Sequence, residues 1–313
     1  MSQALHLILT PTFLATIIRM TTPILFACLA GMVVDRAGMM NLAVETTMLI
    51  GALMGVLISA WTHSAWIGLI GAVLVGIGVS AVIGYTALVL QADMYMNGVA
   101  FNLMMNGGTV FVLYLAVGSK GMSTGLRSEV LPQITLPLVE KIPVLGEILS
   151  GQNVLTYIAV LCLVLMYYFL FRTKLGLRLR LVGENPAAAE SVGINSVRMK
   201  MLAMCISGAM SAMGGCFLSM GYVSWFQANM TSGRGFIGMA SSSLGGAAPL
   251  GGLLASLLFG TADAVSNTLS TLSIPSELVS MIPYAVTIIG LVISSGASRR
   301  KANRKKAKSQ ATV

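Results

Sequence analysis

The chain has 313 residues, of which 56% are hydrophobic and 9% charged, and its formal net charge is +9. Soluble globular domains carry about a quarter charged residues, whereas the mean hydropathy here is +0.86. This composition excludes an ordinary soluble domain, because water would not solvate so apolar a surface. The chain is therefore predicted to be an integral membrane protein.

Long apolar segments recur along the whole chain. An α-helix needs roughly 20 apolar residues to cross about 30 Å of hydrocarbon. Eight segments are long enough, and they are Thr12–Val34, Met39–Ala60, Ala65–Leu90, Met94–Gly118, Val154–Phe171, Met201–Val223, Leu250–Leu269 and Glu277–Gly296. A further segment, Phe236–Ala248, is shorter and rich in glycine, which is typical of a broken or re-entrant helix. We predict an all-α fold, a polytopic transmembrane helical bundle of eight to ten spans formed by residues 1–298.

The basic residues are clustered, and this predicts the orientation. Of the 19 basic residues, 13 lie either within 172–200 or in the tail, 299–313. The positive-inside rule places both regions in the cytoplasm. Contact with anionic membrane lipid explains the tail better than nucleic-acid binding does. The loop 119–153 has as many acidic as basic residues and is predicted to be external, which gives nine passes with the N-terminus outside a cell membrane.

A compact polar stretch, LVGENPAAAESVGINSVRMK (Leu181–Lys200), interrupts the apolar pattern. Asn185 is a favourable N-cap, Pro186 suits the first helical position, and Gly193 suits a C-terminal stop. The pattern predicts a cytoplasmic helix of about two turns. Such a helix is too short to be stable alone in water, so it needs a partner surface. An ordinary capped connector is the alternative.

Residues suited to catalysis or metal binding are sparse. The cysteines lie in apolar segments without a CxxC pair, which indicates free structural thiols; they are Cys28, Cys162, Cys205 and Cys216. His6 and His63 have no ligand partner nearby in the sequence. The ATP-binding motif GxxxxGK[ST] does not occur. We predict no catalytic residue, no metal site and no cofactor in this chain.

Four segments, taken in order, resemble the ABC-transporter permeases that import simple sugars, branched-chain amino acids and nucleosides. They are GENPAAAESVGI, RMKMLAMCISGAMSAMGGCFLSMG (Arg198–Gly221), TSGRGFIGMASSSLGGAAPLGGLLASLLFG (Thr231–Gly260) and IPYAVTIIGLVI (Ile282–Ile293). In that family the first segment is a coupling loop that fits a groove on the ATP-binding subunit. The resemblance implies that role for Gly183, Glu184, Asn185, Pro186, Ala187, Ala188, Ala189, Glu190 and Gly193, in a coupling loop at 172–200.

The same resemblance implies the partners. A separate ATP-binding subunit would bind and hydrolyse ATP, so this chain would be a transport subunit and not an enzyme. A second permease subunit, identical or homologous, would complete the membrane pathway. An extracellular substrate-binding protein would deliver the substrate.

The segment RMTTPILFACLAGMVVDRAGMMNLAVETTMLIGAL (Arg19–Leu53) resembles the nucleoside-type permeases in particular. Asn41 and Glu45 stand at two positions of that pattern, whereas Thr46 replaces the usual glycine. The resemblance implies a purine or pyrimidine ribonucleoside as substrate, with a simple sugar or another small solute as the alternative. An ion-coupled secondary transporter is a further alternative and would use acids such as Glu45 and Asp263.

Glu45 and Asn41 are the first candidates for the substrate pathway. An ionisable group inside a spanning segment costs roughly 2.5–3.5 kcal/mol, so Glu45 is expected to face a partner or a wet cavity. Asn41 precedes it by four residues and is expected on the same helical face, where the two side chains would suit ribose hydroxyls. The alternative is that Glu45 pairs with Arg19 or Arg36 and holds helices together.

Four further residues are candidates for the same pathway. Asn102 and Asn106 lie four residues apart on one predicted helix, where they would line the pathway or bond to another helix. Phe226 and Phe236 flank the glycine-rich break, where an aromatic ring could stack on a base. Packing inside the bundle is the alternative for the two rings.

Overall fold

The computed structural model describes residues 11–123, 125–135, 150–270 and 285. The elements in chain order are α1 (Pro11–Arg36), α2 (Val44–Thr62), α3 (Ala65–Leu88), α4 (Met94–Val117), β1 (Gln133–Ile134), β2 (Gln152–Asn153), α5 (Val154–Arg172), α6 (Lys174–Glu184), α7 (Pro186–Ser191), α8 (Ser196–Met220), α9 (Arg234–Leu244) and α10 (Pro249–Leu269).

Among the described residues, seven helices are long and apolar enough to cross a membrane, namely α1 to α5, α8 and α10. They correspond to seven of the eight long spans predicted, with differences at the helix ends. The eighth, Glu277–Gly296, and the tail at 299–313 lie outside the described residues. The predicted all-α transmembrane bundle is therefore confirmed for the described part of the chain.

The loop 119–153 contains the short strand pair of this part of the chain. Gln133 lies opposite Asn153 and Ile134 opposite Gln152 in an antiparallel pair. The Asn153 side chain accepts from the Leu155 amide (3.0 Å) and so caps α5, and it donates to the Gly221 carbonyl (2.7 Å) just beyond α8. These bonds fasten the loop to the end of the bundle.

Small residues allow α8 to pack closely against α2 and α3. A methyl group added at Gly215 would lie 2.0 Å from the Met48 carbonyl oxygen, and one at Gly208 would lie 2.5 Å from the Gly76 carbonyl oxygen. Only glycine fits at these positions. Close approach of backbones is the usual way in which membrane helices gain packing energy.

The two ends of the bundle carry different segments. At the Arg36 end, the turn after α1 touches the end of α6, where a methyl group on Gly38 would lie 2.7 Å from the Gly183 carbonyl oxygen. At the Ser59 end, the Ser59 hydroxyl accepts from the Glu129 amide (3.1 Å) in the loop 119–153. The two segments that were predicted to face opposite sides of the membrane thus lie at opposite ends.

Two helices begin inside the bundle instead of at an end. Val44, the first residue of α2, packs with Ala27 and Ala30 in the middle of α1. Near the start of α9, a methyl group on Gly238 would lie 2.3 Å from the Ala27 side chain. The prediction of one continuous span from Met39 is therefore wrong, because the chain turns after α1 and re-enters the bundle without helical structure before α2 begins.

Candidate transport pathway and coupling segment

The carboxylate of Glu45 links the starts of α2 and α9. Its two oxygens accept from the amides of Gly233 (2.8 Å) and Gly235 (2.7 Å), and the residue is 8% exposed. Gly233 has no side chain with which to cap α9 and has φ +81°. The first N–H groups of a helix lack helical partners and carry partial positive charge, so a carboxylate at this point is stabilising.

The alternative pairing of Glu45 with Arg19 or Arg36 is wrong. The Arg19 guanidinium lies 4.3 Å from the centre of the Tyr222 ring. Arg36 donates instead to the carbonyl oxygen of Ala247, at 2.7 Å. Sequence reasoning missed the backbone N–H groups of α9 as the partner, because a cap supplied from another helix leaves no local pattern.

Asn41 and Asn102 serve the irregular start of α2. Asn41 accepts from the Ala43 amide (3.0 Å) and donates to the Ser207 hydroxyl (3.3 Å). Asn102 accepts from the Thr46 amide (3.1 Å) and from its hydroxyl, and donates to the Leu42 carbonyl (3.0 Å). Ala43 has no side chain that can cap α2. The side-chain amides of Asn41 and Asn102 therefore bond to the backbone groups that lack helical partners at the non-helical stretch before α2.

The structure thus brings Asn41, Glu45 and Asn102 together at the break before α2. The expectation that Asn41 and Glu45 share a helical face is wrong, because Asn41 precedes the helix. All three side chains are engaged by hydrogen bonds within the chain. In this conformation they join the start of α2 to α4, α8 and α9.

The other three candidates differ in exposure. Asn106 is exposed on α4, a helix of which only Gly98, Thr109 and Leu113 are buried. Phe236 is 45% exposed on α9. Phe226 is fully buried in the main hydrophobic core, so the predicted stacking of its ring on a substrate does not fit this conformation.

An ion pair joins α9 to α10. The Arg234 guanidinium lies 3.2 Å from the Asp263 carboxylate, and both side chains are largely shielded. The sequence indicates Asp263 only as a candidate ion-coupling acid and does not predict this pair. The signal that could predict it is the presence of two opposite charges in neighbouring apolar segments.

The predicted capped helix is present as α7, with six residues. Asn185 accepts from the Ala188 amide (3.1 Å), Pro186 takes the first turn, and Gly193 has φ +79°. The exposed residues of the segment are Glu184, Asn185, Pro186, Ala187, Glu190 and Gly193, whereas Ala188 is half-buried and Ala189 is buried. Most of the residues predicted to contact an ATP-binding subunit are therefore accessible.

Gly183 packs against the turn after α1, and its predicted role in coupling stays a prediction. A methyl group added there would lie 2.2 Å from the Arg36 carbonyl oxygen and 2.9 Å from the Gly38 amide nitrogen. The position is therefore a contact within the chain, and only glycine fits it. It belongs to α6, which the sequence did not predict and which follows α5 after Thr173 alone.

The fold and this site define a polytopic helical membrane protein with broken helices at its centre and a short capped helix at one end. The sequence profile of the family described as branched-chain amino acid transport system permease component matches residues 13–291. The chain belongs to this family, and the resemblance stated from the sequence is confirmed. It is a multi-pass protein of the cell membrane.

Individual relatives cover nearly the whole chain. The nucleoside ABC transporter permease protein NupC of Lactococcus lactis subsp. cremoris is 31% identical over 88% of this chain and 90% of that protein. The guanosine ABC transporter permease protein NupQ of Bacillus subtilis is 33% identical over 86% of this chain and 87% of its own length. The glucose ABC transporter permease protein TsgB13 of Haloferax volcanii is 26% identical over 87% of this chain and 74% of that protein.

Proposed function

We propose that this chain is the permease subunit of an ABC importer that carries a purine or pyrimidine ribonucleoside. The observation that carries the proposal is the similarity, at 31% and 33% identity over most of the chain, to permeases named for nucleoside and guanosine transport. A simple sugar is the second candidate, favoured by the more distant glucose permease.

The proposed partners follow from the exposed surfaces. The ATP-binding subunit would hold α7 through Ala187 and Glu190, which are exposed. The exposed basic residues Arg172, Lys174 and Arg178 support a cytoplasmic position for this end. The loop 119–153, at the opposite end, would receive the substrate-binding protein outside the cell.

The pathway is proposed to run along the exposed faces of α4 and α9. An amide exposed to hydrocarbon is costly, so Asn106 is better explained by a wet pathway shared with a second permease subunit. Phe236 would offer a ring face to a base in the same pathway. The non-helical stretches before α2 and α9, around which the helices would move, would be stabilised by Asn41, Glu45 and Asn102.

A secondary transporter is not favoured by the site. Its two candidate ion-coupling acids are both engaged, Glu45 by two amides and Asp263 by Arg234. A secondary transporter also has no ATP-binding subunit to which the exposed helix α7 could bind.

Uptake in whole cells tests the proposal. Cells that carry the chain with its ATP-binding subunit and binding protein should accumulate radiolabelled guanosine, adenosine or cytidine, and cells lacking the chain should not. Radiolabelled ribose and glucose are tested in parallel in the same assay. Accumulation of glucose alone would contradict the proposed nucleoside substrate but would be consistent with a permease function. If none of these compounds showed uptake that depends on the chain, both the substrate and the permease function would be contradicted.

A further inference from the structure

The short helix α9 is held at both ends by side chains of opposite charge. Glu45 accepts from the amides at its start, as described above. Beyond its last residue, Arg36 donates to the carbonyl oxygens of Ala247 (2.7 Å) and Gly246 (3.2 Å). Carboxylate at the N-terminus and guanidinium at the C-terminus are the arrangement that the helix dipole favours.

The turn that Arg36 holds is conformationally strained. Ala247 has φ +48°, a value in the left-handed region that side chains other than glycine rarely adopt. Such a backbone persists only where its surroundings enforce it. The guanidinium of Arg36 is one of these surroundings, since it binds the carbonyl group of the same residue.

Arg36 also lies against the coupling loop, 172–200: its carbonyl oxygen packs on Gly183, and its guanidinium shares with Arg180 the ring of Phe171, just before that loop. Its guanidinium carbon lies 5.7 Å from the centre of the Phe171 ring, and that of Arg180 in α6 lies 5.0 Å from the same ring. Both distances are within the range of about 6 Å at which a cation and an aromatic face attract each other. The backbone contact between Gly183 and the turn at Gly38 lies beside them.

These contacts form a continuous connection from α6 and α7, through Arg36, to α9 and so to Glu45 at the start of α2. We infer that Arg36 is the positioning residue through which movement of the coupling segment shifts α9 and opens the break beside α2. This inference rests on the proposed function, because it assumes that the ATP-binding subunit moves α7. Coupling of this kind requires an element with two arrangements, and in this inference that element is the strained turn after α9.

Spin-label distances in the complete transporter test the inference. One nitroxide pair joins Ser243 on α9 to Thr62 at the far end of α2, and a second joins Ser191 on α7 to Thr62; all three residues are exposed. Cys205 is replaced by serine, whereas the other free cysteines are buried and do not compete for the label. The permease is assembled with its ATP-binding subunit in nanodiscs, and distances are compared without nucleotide and with ATP plus vanadate.

In the wild type, both distances should change on trapping with vanadate. In Arg36→Gln, the Ser191 pair should respond as in the wild type, while the Ser243 pair should lose more than half of its shift. Arg19→Gln is the matched control, because Arg19 also lies over an aromatic ring but at the other end of the bundle. It should leave both shifts intact.

An unchanged Ser243 shift in Arg36→Gln would overturn the inference and leave the proposed function in place. If this variant does not assemble, Phe171→Leu removes the ring but keeps the hydrogen bonds of Arg36, and it should reduce the Ser243 shift; an unreduced shift would again overturn the inference. No response of the Ser191 pair in the wild type would contradict the coupling function itself and the inference with it.

Discussion

At the scale of single residues, the side chain of Glu45 reaches from α2 to the first turn of α9, where two backbone N–H groups point at it. Both of its oxygens are used as acceptors, so the group is suited to a carboxylate and poorly suited to an amide. Its role in this conformation is to join two helices. A direct contact with substrate would require α9 to move away first.

Glu45→Gln should therefore destabilise the protein, although it preserves the size of the side chain. The new NH₂ group would face one of the two N–H donors, and a hydrogen bond to a charged group is worth about 1.5–3 kcal/mol. We expect a lower thermal midpoint of the purified chain in detergent. Glu129→Gln, at an exposed position of the loop, is the control. Equal midpoints for the two variants would contradict the capping role.

Gly235→Ala should reduce the yield of folded protein more than the same substitution at a glycine that has free space around it, such as Gly107. The added methyl group would lie 2.6 Å from the Glu45 Cα atom, whereas at Gly107 nothing lies within 4 Å of it. Yield of monodisperse protein in size-exclusion chromatography is the measurement. Gly235→Ala should lose most of the folded protein and Gly107→Ala should keep it, so a similar loss in both would refute the packing described here.

At the scale of elements, the capped segment divides into an outer and an inner part. α7 exposes Ala187 and Glu190, while Gly183 at the end of α6 is packed against the turn after α1. Substitutions only a few residues apart are thus expected to act on different properties. The outer part is proposed to bind the ATP-binding subunit, and the inner part is expected to affect folding.

Ala187→Arg should leave the yield of folded protein unchanged and reduce ATP-dependent uptake by at least about tenfold, which corresponds to about 1.4 kcal/mol of lost interaction. Gly183→Ala should instead reduce the yield itself. Both quantities are measured for each variant in parallel. Wild-type uptake by Ala187→Arg would remove this surface from the coupling interface.

The elements differ in how far the sequence predicts them. Long apolar runs fix the existence of α1 to α5, α8 and α10, because length and composition suffice for a spanning helix. Asn185, Pro186 and Gly193 predict α7, because caps are local signals. The late start of α2, the helix α6 and the burial of Phe226 depend on contacts between distant parts of the chain, which no local pattern records.

At the scale of the whole molecule, the bundle carries a basic, helical segment at the Arg36 end and a fastened loop at the Ser59 end. The irregular entries to α2 and α9 meet between these ends. Unwound backbone inside a membrane is tolerated where protein or a wet cavity surrounds it. The hydrogen bonds of Asn41, Asn102 and Glu45 supply such surroundings.

The orientation can be tested with single cysteines in a Cys205→Ser background. Arg127→Cys in the loop should react with an impermeant thiol reagent from outside intact cells, because the residue is exposed and the loop is proposed to be external. Glu190→Cys in α7 should react only after permeabilisation. The reverse pattern would overturn the orientation and the placement of both partners.

Transport by the purified, reconstituted complex tests the central claim most directly. Proteoliposomes with ATP inside receive binding protein and either radiolabelled guanosine or radiolabelled glucose outside, and Ala187→Arg vesicles are the matched control. We expect guanosine to accumulate above its external concentration only with ATP and the wild-type permease. Accumulation without ATP, or accumulation of glucose but of no nucleoside, would contradict the account.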